Sequence, residues 1–302
     1  SGNVGGLRLW DVASGAEAAP AEGHTRNVCA LAVAPNGDLL SGSWDNTARV
    51  WRDGATVAVL AGHESAVWAV LGLESGVLVT GSGDKTIKLW QDGVCVKTLA
   101  GHTDSVRSLQ RVPGIGFISA ANDGTAKLWS EQGDELATYV CHEQYIYAVA
   151  VLSSSEFATC SEDKSVKIFR DGQPSQTIQH PGVVWSAAAL PNGDLVTGCQ
   201  DGAVRVWTRC AERAAPAEEV VMYEEQLAAQ TMSSQETGNV DPSKLPGPEA
   251  LQAPGDSDGQ VKLVKSASGG AEAHSWSAAE GRWVMVGTVV DGPGGGGGGA
   301  SG

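Results

Sequence analysis

Short apolar stretches alternate with turn-forming residues along the first 208 positions of the chain. Typical stretches, rich in β-branched and other apolar side chains, are Val67–Leu71, Val77–Thr80, Ile87–Trp90 and Val94–Leu99. The turns between them carry proline and Asn-Gly, as at residues 35–37 and 191–193, and these residues favour the backbone angles of tight hairpin connections. Strands of about four to six residues, with a turn roughly every eight to twelve, indicate an all-β array.

A set of polar and aromatic residues recurs in step along this array. Five histidines lie 38 to 40 residues apart, and an aspartate follows each by 21 residues, giving the pairs His24/Asp45, His63/Asp84, His102/Asp123, His142/Asp163 and His180/Asp201. A hydroxyl stands 17 residues after each histidine, at Ser41, Thr80, Ser119, Thr159 and Thr197. An aromatic residue stands 27 residues after it, at Trp51, Trp90, Trp129, Phe169 and Trp207. Four short strands per period of roughly forty residues are typical of β-propeller blades.

The units GHESAV…SGDKTIKLW and GHTDSV…NDGTAKLW resemble the WD40 family, and the resemblance covers residues 1–208. It implies that the histidine, hydroxyl, aspartate and tryptophan of a unit form one buried hydrogen-bonded chain without chemical activity. An unpaired buried polar group costs about 1–3 kcal/mol, so such groups should occur as complete sets. Complete sets are expected in the units of His24, His63, His102 and His180. The unit of His142 ends in Phe169, which has no indole N–H, so its chain should be one bond short.

Three positions of each unit, 3, 5 and 20 residues after the histidine, are left over once the internal residues are subtracted. All three should lie at one rim of the central channel. Aromatic side chains are concentrated among them, at Trp44, Trp68, Tyr145, Tyr147 and Trp185. Exposed aromatics often anchor protein interfaces, at about 2 kcal/mol or more each. We therefore favour a binding surface over the alternative that these side chains plug the mouth of the channel.

A second resemblance concerns the stretch from LPGPEALQAPGD to GRWVMVGTVVD, between residues 245 and 291. It is similar to the PFU ubiquitin-binding domain of the phospholipase A-2-activating protein family, in which this domain follows a WD40 propeller. The resemblance implies a ubiquitin-binding adaptor of the ubiquitin-proteasome system. It implies that ubiquitin binds PFU and the propeller rim, here Trp44, Trp68, Arg107, Tyr145, Tyr147 and Trp185. It also implies a link to the valosin-containing AAA ATPase through a region outside these residues.

The predicted fold is all-β, a WD40 propeller with about five and a half blades of the seven commonest in the family, then a short helix and a partial PFU-like β-rich segment. The predicted boundaries are 1–23 for a partial blade, 24–208 for the blades, 209–245 for helix and linker, 246–290 for the partial PFU-like domain and 291–302 for a glycine-rich disordered tail. Leu7–Asp11 would be the third strand of the partial blade, with Trp10 in the structural position, and Glu17–Glu22 its outer strand. Three later strands are expected at Gln260–Lys265, Ala271–Trp276 and Arg282–Gly287.

The net charge limits the classes of binding partner, and the cysteines indicate a cellular location. The net charge is −15, which makes nucleic acid and anionic membranes poor partners. No apolar run is long enough to span a membrane. Six cysteines without CxxC spacing are expected to be buried free thiols, which favours a cytoplasmic and nuclear location. No cofactor and no metal ion are predicted.

Two other functions remain open. Hydrolysis is one, because the family name mentions a phospholipase. The sequence has no nucleophile elbow, HExxH or P-loop motif, so no catalytic residue is predicted, and the only histidine outside the repeat is His274. The other alternative is a generic WD40 scaffold that binds a degron or another peptide on the same rim.

Overall fold

A computed structural model describes residues 6–17, 21–236, 245–255, 260–265, 271–277 and 281–289. The chain forms two compact units, Ser1–Pro216 and Ala217–Gly302, and each is described separately below. The predicted glycine-rich tail at 291–302 lies outside the described residues.

The first unit consists of antiparallel sheets in which strands follow one another in chain order. Blade 1 contains β3 (Val28–Val33), β4 (Leu39–Ser43), β5 (Thr47–Arg52) and β6 (Ala55–Ala61). Blade 2 contains β7 (Val67–Gly72), β8 (Leu78–Ser82), β9 (Ile87–Gln91) and β10 (Val94–Leu99). Blade 3 contains β11 (Val106–Val112), β12 (Gly116–Ala121), β13 (Thr125–Ser130) and β14 (Glu135–Val140). Blade 4 contains β15 (Ile146–Ser153), β16 (Glu156–Ser161), β17 (Ser165–Arg170) and β18 (Gln173–Gln179), and blade 5 contains β19 (Val184–Ala189), β20 (Leu195–Cys199) and β21 (Val204–Trp207). The predicted propeller fold is confirmed.

The blades pack face to face, and the core lies between them. Each of four apolar clusters joins two successive blades, as where Leu60 of blade 1 meets Val67 and Trp90 of blade 2. The innermost strands contact one another in the order β3, β7, β11, β15 and β19. Apolar burial between neighbouring sheets, at about 25 cal/mol per Å², is therefore what fixes each blade beside the next.

Ahead of blade 1 lies a two-stranded piece, in which β1 (Gly6–Leu7) pairs antiparallel with β2 (Ala21–Glu22). Leu7 is buried and packs in one cluster with Trp51 of blade 1. The expectation that Trp10 is a buried structural residue is wrong, because its side chain is 55% exposed. The reason is that β1 pairs only with β2, so among the described residues no inner strand offers a hydroxyl to its indole.

Blades 1 to 3 each contain the expected four-residue chain. In blade 2, His63 Nδ1 lies 2.7 Å from an Asp84 carboxylate oxygen and His63 Nε2 lies 2.7 Å from Thr80 Oγ1, to which Trp90 donates at 2.8 Å. The corresponding bonds in blades 1 and 3 measure 2.7 to 2.9 Å. Each hydroxyl thus joins an imidazole to an indole inside the blade.

Blade 4 contains two of the three bonds. His142 lies 2.7 Å from Asp163 and 2.9 Å from Thr159. Phe169, at the tryptophan position, is buried and stacks on Phe157 with ring centroids 5.0 Å apart. The apolar contact occupies the place where the other blades have an indole hydrogen bond.

Blade 5 departs from the expected complete set. His180 contacts Thr197 at 2.9 Å, but its Nδ1 lies 3.3 Å from the Ile178 carbonyl oxygen, and Asp201 instead accepts from Arg205 at 2.6 Å. Two donors that hold the aspartate elsewhere are missing: a backbone N–H that donates in blades 1 to 3 and a hydroxyl that donates in blades 1 to 4. The residue after the histidine is Pro181, which has no N–H, and Ala203 stands where blades 1 to 4 have Thr47, Thr86, Thr125 and Ser165. Asp201 therefore forms an ion pair with Arg205 and not a hydrogen bond with His180.

Acid is expected to destabilise the propeller in two stages. Burial lowers the pKa of His24 and His63 despite their aspartates, so below about pH 6.5 the unfolded chain takes up protons that the folded one does not. Burial opposes ionisation of Asp45 and Asp163, but their hydrogen bonds outweigh it and hold each pKa at about 2. These two carboxylates therefore contribute stability above about pH 4 that is lost as the pH falls towards 2. Urea unfolding at several pH values measures this, and a free energy of unfolding that stays constant from pH 7 to 3 would contradict it.

The second unit contains α1 (Ala217–Glu236) and a three-stranded antiparallel sheet of β22 (Val261–Lys265), β23 (Ala271–Ser277) and β24 (Arg282–Val289). These strands lie where the sequence placed them, whereas the helix is longer than the short one predicted. None of the described helices is long and apolar enough to cross a membrane. All six cysteines are free thiols. Cys29 and Cys95 are exposed and Cys210 is only partly buried, so the expectation of buried thiols is wrong for these three.

Candidate functional site

One edge of the propeller collects the three left-over positions of every unit. In each blade the backbone N–H at +20 donates to the carbonyl oxygen at +3, over 2.8 to 3.0 Å, in the pairs Trp44/Asn27, Gly83/Ala66, Asn122/Ser105, Glu162/Tyr145 and Gln200/Val183. The same short bond in all five blades places these loops side by side. The edge is therefore built on a repeated backbone frame.

The position at +5 is a β-bulge in every blade. The pairing of the innermost strand with its neighbour slips at Cys29, Trp68, Arg107, Tyr147 and Trp185. A bulge leaves one residue without a partner on the adjacent strand and turns its side chain. The five side chains consequently point along the rim, where each meets a neighbouring blade.

Five residues from five blades form a continuous row, which we call the rim cluster: Trp44, Trp68, Arg107, Tyr147 and Trp185. The rings of Trp44 and Trp68 meet edge to face at 6.0 Å, and those of Tyr147 and Trp185 lie 4.6 Å apart. The Arg107 guanidinium bridges the two pairs, 4.1 Å from the Trp68 ring centre and 5.4 Å from that of Tyr147. Aromatic and cation–π contacts thus connect the whole row.

The rim cluster is open to solvent at both ends. Trp44 is 39% exposed and Trp185 is 48% exposed, while Trp68, Arg107 and Tyr147 are half-buried between them. Tyr145 is 43% exposed, and its ring contacts no other ring among the described residues. Large aromatic side chains that pack on one another and still face water are typical of interface anchors.

Space for the Trp68 indole comes from Gly83, in the +20 position of the same blade. A Cβ atom at Gly83 would lie 3.2 Å from Trp68 Nε1 and 2.7 Å from Ser65 Oγ. Any larger residue there would push the indole or the serine away. The glycine therefore lets Trp68 lie beside Arg107.

The electrostatics of the rim centre on Arg107. Burial lowers the pKa of this guanidinium, and Tyr147 and Cys29 offset the effect only in part. Burial likewise raises the pKa of Tyr147, helped by the charge of Glu162. Although Cys29 is exposed as a whole residue, its Sγ atom donates to the Val67 carbonyl oxygen at 3.1 Å. Desolvation of this sulfur raises the pKa of the thiol to about 11, so it stays protonated at neutral pH.

In the second unit, two tryptophans lie together on the sheet. The rings of Trp276 and Trp283 meet at 5.5 Å, Lys262 lies 4.9 Å from the Trp283 ring, and Trp283 donates to the Ala253 carbonyl oxygen at 2.8 Å. His274 lies 3.3 Å from a Glu272 carboxylate oxygen. Across the described ranges, no group of three or more His, Cys, Asp or Glu side chains is arranged to hold a metal ion.

All five repeat units match one family model. The model described as "WD domain, G-beta repeat" covers residues 19–52, 54–91, 93–130, 133–170 and 172–208. The chain belongs to the WD40-repeat family. A second model, "PFU (PLAA family ubiquitin binding)", matches residues 253–300, so this WD40 protein also carries the predicted resemblance to the PFU domain.

Two curated proteins are similar in sequence to this chain. "Ubiquitin homeostasis protein lub1" of Schizosaccharomyces pombe is 40% identical over 271 residues, which cover 89% of this WD40 chain and 38% of that protein. "Phospholipase A-2-activating protein" of Xenopus laevis is 41% identical over 118 residues, or 38% of this chain and 15% of that protein. The chain thus spans well under half the length of these relatives.

A solved structure shares the propeller. The "WD40 beta propeller domain of Doa1" aligns with a TM-score of 0.61 and 38% identity, covering 65% of this chain and 69% of that one. The resemblance to the phospholipase A-2-activating protein family, predicted from the sequence, is confirmed by these relatives and the two family models.

Sequence reasoning found the rim positions of this WD40 chain but not how they connect. The structure brings Trp44, Trp68, Arg107, Tyr147 and Trp185 together, and it leaves Tyr145 outside the row. The bulge and the place of Arg107 between two rings were missed. The available signal was the order of the blades, since the +5 residues of adjacent units must be neighbours.

Proposed function

We propose that this chain is a ubiquitin-binding adaptor without enzymatic activity, and that ubiquitin binds on the rim cluster. The observation that carries the proposal is a row of exposed, mutually packed aromatics on an acidic WD40 propeller whose chain also matches a PFU ubiquitin-binding model. Ubiquitin presents a small apolar patch ringed by basic side chains, which complements such a surface.

The PFU-like segment would act as a second, weaker site in the same adaptor. One small apolar patch per site corresponds to an affinity of ~1 µM. Tethering two such sites raises the overall affinity by roughly 10²–10⁴ over either alone. Ubiquitin would then bind the propeller first, and binding to the second unit would lengthen the lifetime of the complex.

The cellular role follows the same proposal. An adaptor of this kind would serve ubiquitin-dependent degradation and ubiquitin homeostasis, in the cytoplasm and nucleus. We propose that it is linked to the valosin-containing AAA ATPase through a region outside these residues. The relative from S. pombe, named for ubiquitin homeostasis, supports the general role.

Replacing two anchors tests ubiquitin binding directly. Trp68→Ala combined with Trp185→Ala should weaken binding of ¹⁵N-labelled ubiquitin at least ~30-fold in an NMR titration, because a single interface tryptophan is often worth ~2 kcal/mol or more. The melting temperature should fall by only a few degrees, since neither side chain is fully buried.

A matched control uses a tryptophan that is exposed but lies outside the rim cluster. Trp10→Ala removes the same chemical group from the same unit, at a residue that is 55% exposed, and should leave binding unchanged. Unaltered ubiquitin shifts in the folded double variant would reject the rim as the ubiquitin site. They would instead favour a scaffold that binds another peptide there.

A further inference from the structure

Arg107 is a cation without an acidic partner. In the described part of the chain, seven arginines of the propeller unit pair with a carboxylate, namely Arg8, Arg52, Arg111, Arg170, Arg205, Arg209 and Arg213. Arg107 is half-buried, and among the same residues no carboxylate lies within 4.0 Å of it and no hydrogen-bond acceptor is in range. Its two contacts are the rings of Trp68 and Tyr147.

The two rings leave the edge of the guanidinium free. An aromatic ring attracts the charge of a guanidinium and stacks on its flat face. Such a contact does not use the five N–H groups of the guanidinium as donors in conventional hydrogen bonds. Held at 4.1 Å from Trp68 and 5.4 Å from Tyr147, the planar fork has lost much of its conformational freedom before any ligand arrives. A fixed fork with unpaired donors matches the two oxygens of a carboxylate.

The charges around Arg107 favour an anion with a single negative charge. Arg107 supplies one positive charge, while Glu162 is close enough to act on Tyr147, and Glu64 and Glu143 are exposed in the neighbouring loops. A phosphate group would bring about −1.5 to −2 charges at neutral pH and leave part of that charge unpaired beside these acids. A carboxylate brings one charge, which one guanidinium balances.

We propose that Arg107 is a carboxylate-binding site at the centre of the rim cluster, which takes a carboxylate group of a polypeptide ligand while Trp68 and Tyr147 hold the guanidinium in place. This inference rests on the proposed function for the identity of the natural ligand, but the carboxylate chemistry stands on the Arg107 geometry alone. The carboxylate comes either from an acidic side chain or from the C-terminus of a chain.

A small-molecule titration tests the chemistry without ubiquitin. N-acetylglycine carries a free carboxylate, and N-acetylglycinamide is its neutral match. At constant ionic strength, the Arg107 Nε–H NMR signal should shift with N-acetylglycine and stay fixed with N-acetylglycinamide. No shift with N-acetylglycine, or a larger shift with inorganic phosphate, would overturn the proposal.

A ubiquitin titration then tests the natural ligand and its source. Arg107→Met should weaken binding about 10- to 100-fold, the range for charge-assisted hydrogen bonds, and Arg107→Lys should restore only part of it. Arg26→Met is the control, because Arg26 is an exposed arginine of the same edge that donates to the Trp44 carbonyl oxygen and meets no aromatic ring of the described residues. Melting temperatures of all three variants monitor the fold.

Ubiquitin with an amidated C-terminus separates the two sources. If amidation alone abolishes the difference between wild type and Arg107→Met, the C-terminal carboxylate is the ligand; if the difference persists, an acidic side chain is. Equal affinity of wild type and Arg107→Met for both ubiquitins would overturn the proposal. If the tryptophan double variant still loses binding in that case, the proposed function stands without it.

Discussion

Asp84→Ala is expected to lower the free energy of unfolding of the propeller by about 3 kcal/mol or more. The carboxylate of Asp84 accepts hydrogen bonds from His63, from the Glu64 and Thr86 backbone N–H groups and from the Thr86 hydroxyl. Alanine would leave the buried imidazole of His63 and these donors without their acceptor. Removing one partner of a buried set costs more than the set contributes, because the remaining groups stay desolvated.

Asp201→Ala is the matched control for this prediction. It is the same change at the same repeat position, but Asp201 has no bond to His180 and pairs with Arg205 near the surface, with its side chain 25% exposed. Its loss should cost about 1 kcal/mol. Glu162→Ala, one residue before Asp163 and without a buried partner, should cost less than ~0.5 kcal/mol. Urea unfolding followed by tryptophan fluorescence measures all three, and equal losses for Asp84→Ala and Asp201→Ala would contradict the assignment of the buried chain.

Gly124→Ala is expected to destabilise the propeller by roughly 3 kcal/mol or more, whereas Gly202→Ala should cost about 1–2 kcal/mol. Both glycines occupy the same position of their units, and both have left-handed backbone angles, with φ of +76° and +84°. An added Cβ atom at Gly124 would collide with the His142 carbonyl oxygen, while at Gly202 it would meet open space. The difference between the two variants therefore isolates the collision from the backbone strain that they share.

The collision at Gly124 reaches the next blade. The Gly124 carbonyl oxygen accepts from the N–H groups of Cys141 and His142, so moving that backbone also disturbs the contact of His142 with Asp163. Lys85, at the corresponding position of blade 2, has φ of +71°, which indicates that the backbone angle alone tolerates a side chain. Thermal unfolding should show a fall of roughly 6–12 °C for Gly124→Ala and 2–8 °C for Gly202→Ala, at ~2–4 °C per kcal/mol for a domain of this size. Equal falls would mean that the loop before His142 moves aside at little cost.

The blades and their internal hydrogen bonds could be predicted because the repeat in the sequence consists of the buried polar residues that form those bonds. A buried histidine needs partners at fixed positions, so the offsets to Thr80, Asp84 and Trp90 follow from the need for hydrogen bonds. The same reasoning failed at Asp201 because only the four main positions were compared. Pro181 and Ala203 had already removed two of the donors that hold an aspartate next to its histidine.

The rim could be predicted as a set of positions, but its connections could not. Offsets from the histidine place Trp68 and Tyr147 at one edge, since the same strand begins there in each blade. Nothing in a single sequence shows that the strand register slips at those residues and turns the side chains sideways. The position of Arg107 between two rings depends on that slip. Trp10 illustrates the opposite case, because its motif position indicated burial and its short sheet does not provide it.

The extra residue in each innermost strand separates the side chains of the proposed binding surface from the hydrogen bonds that hold each sheet together. Because Cys29, Trp68, Arg107, Tyr147 and Trp185 have no pairing partner opposite them, a substitution there leaves the hydrogen bonds between strands in place. Each blade thus carries one such position whose side chain can be exchanged. Substitutions at these five positions could therefore be used to design binding of a different ligand while the fold of the propeller is kept.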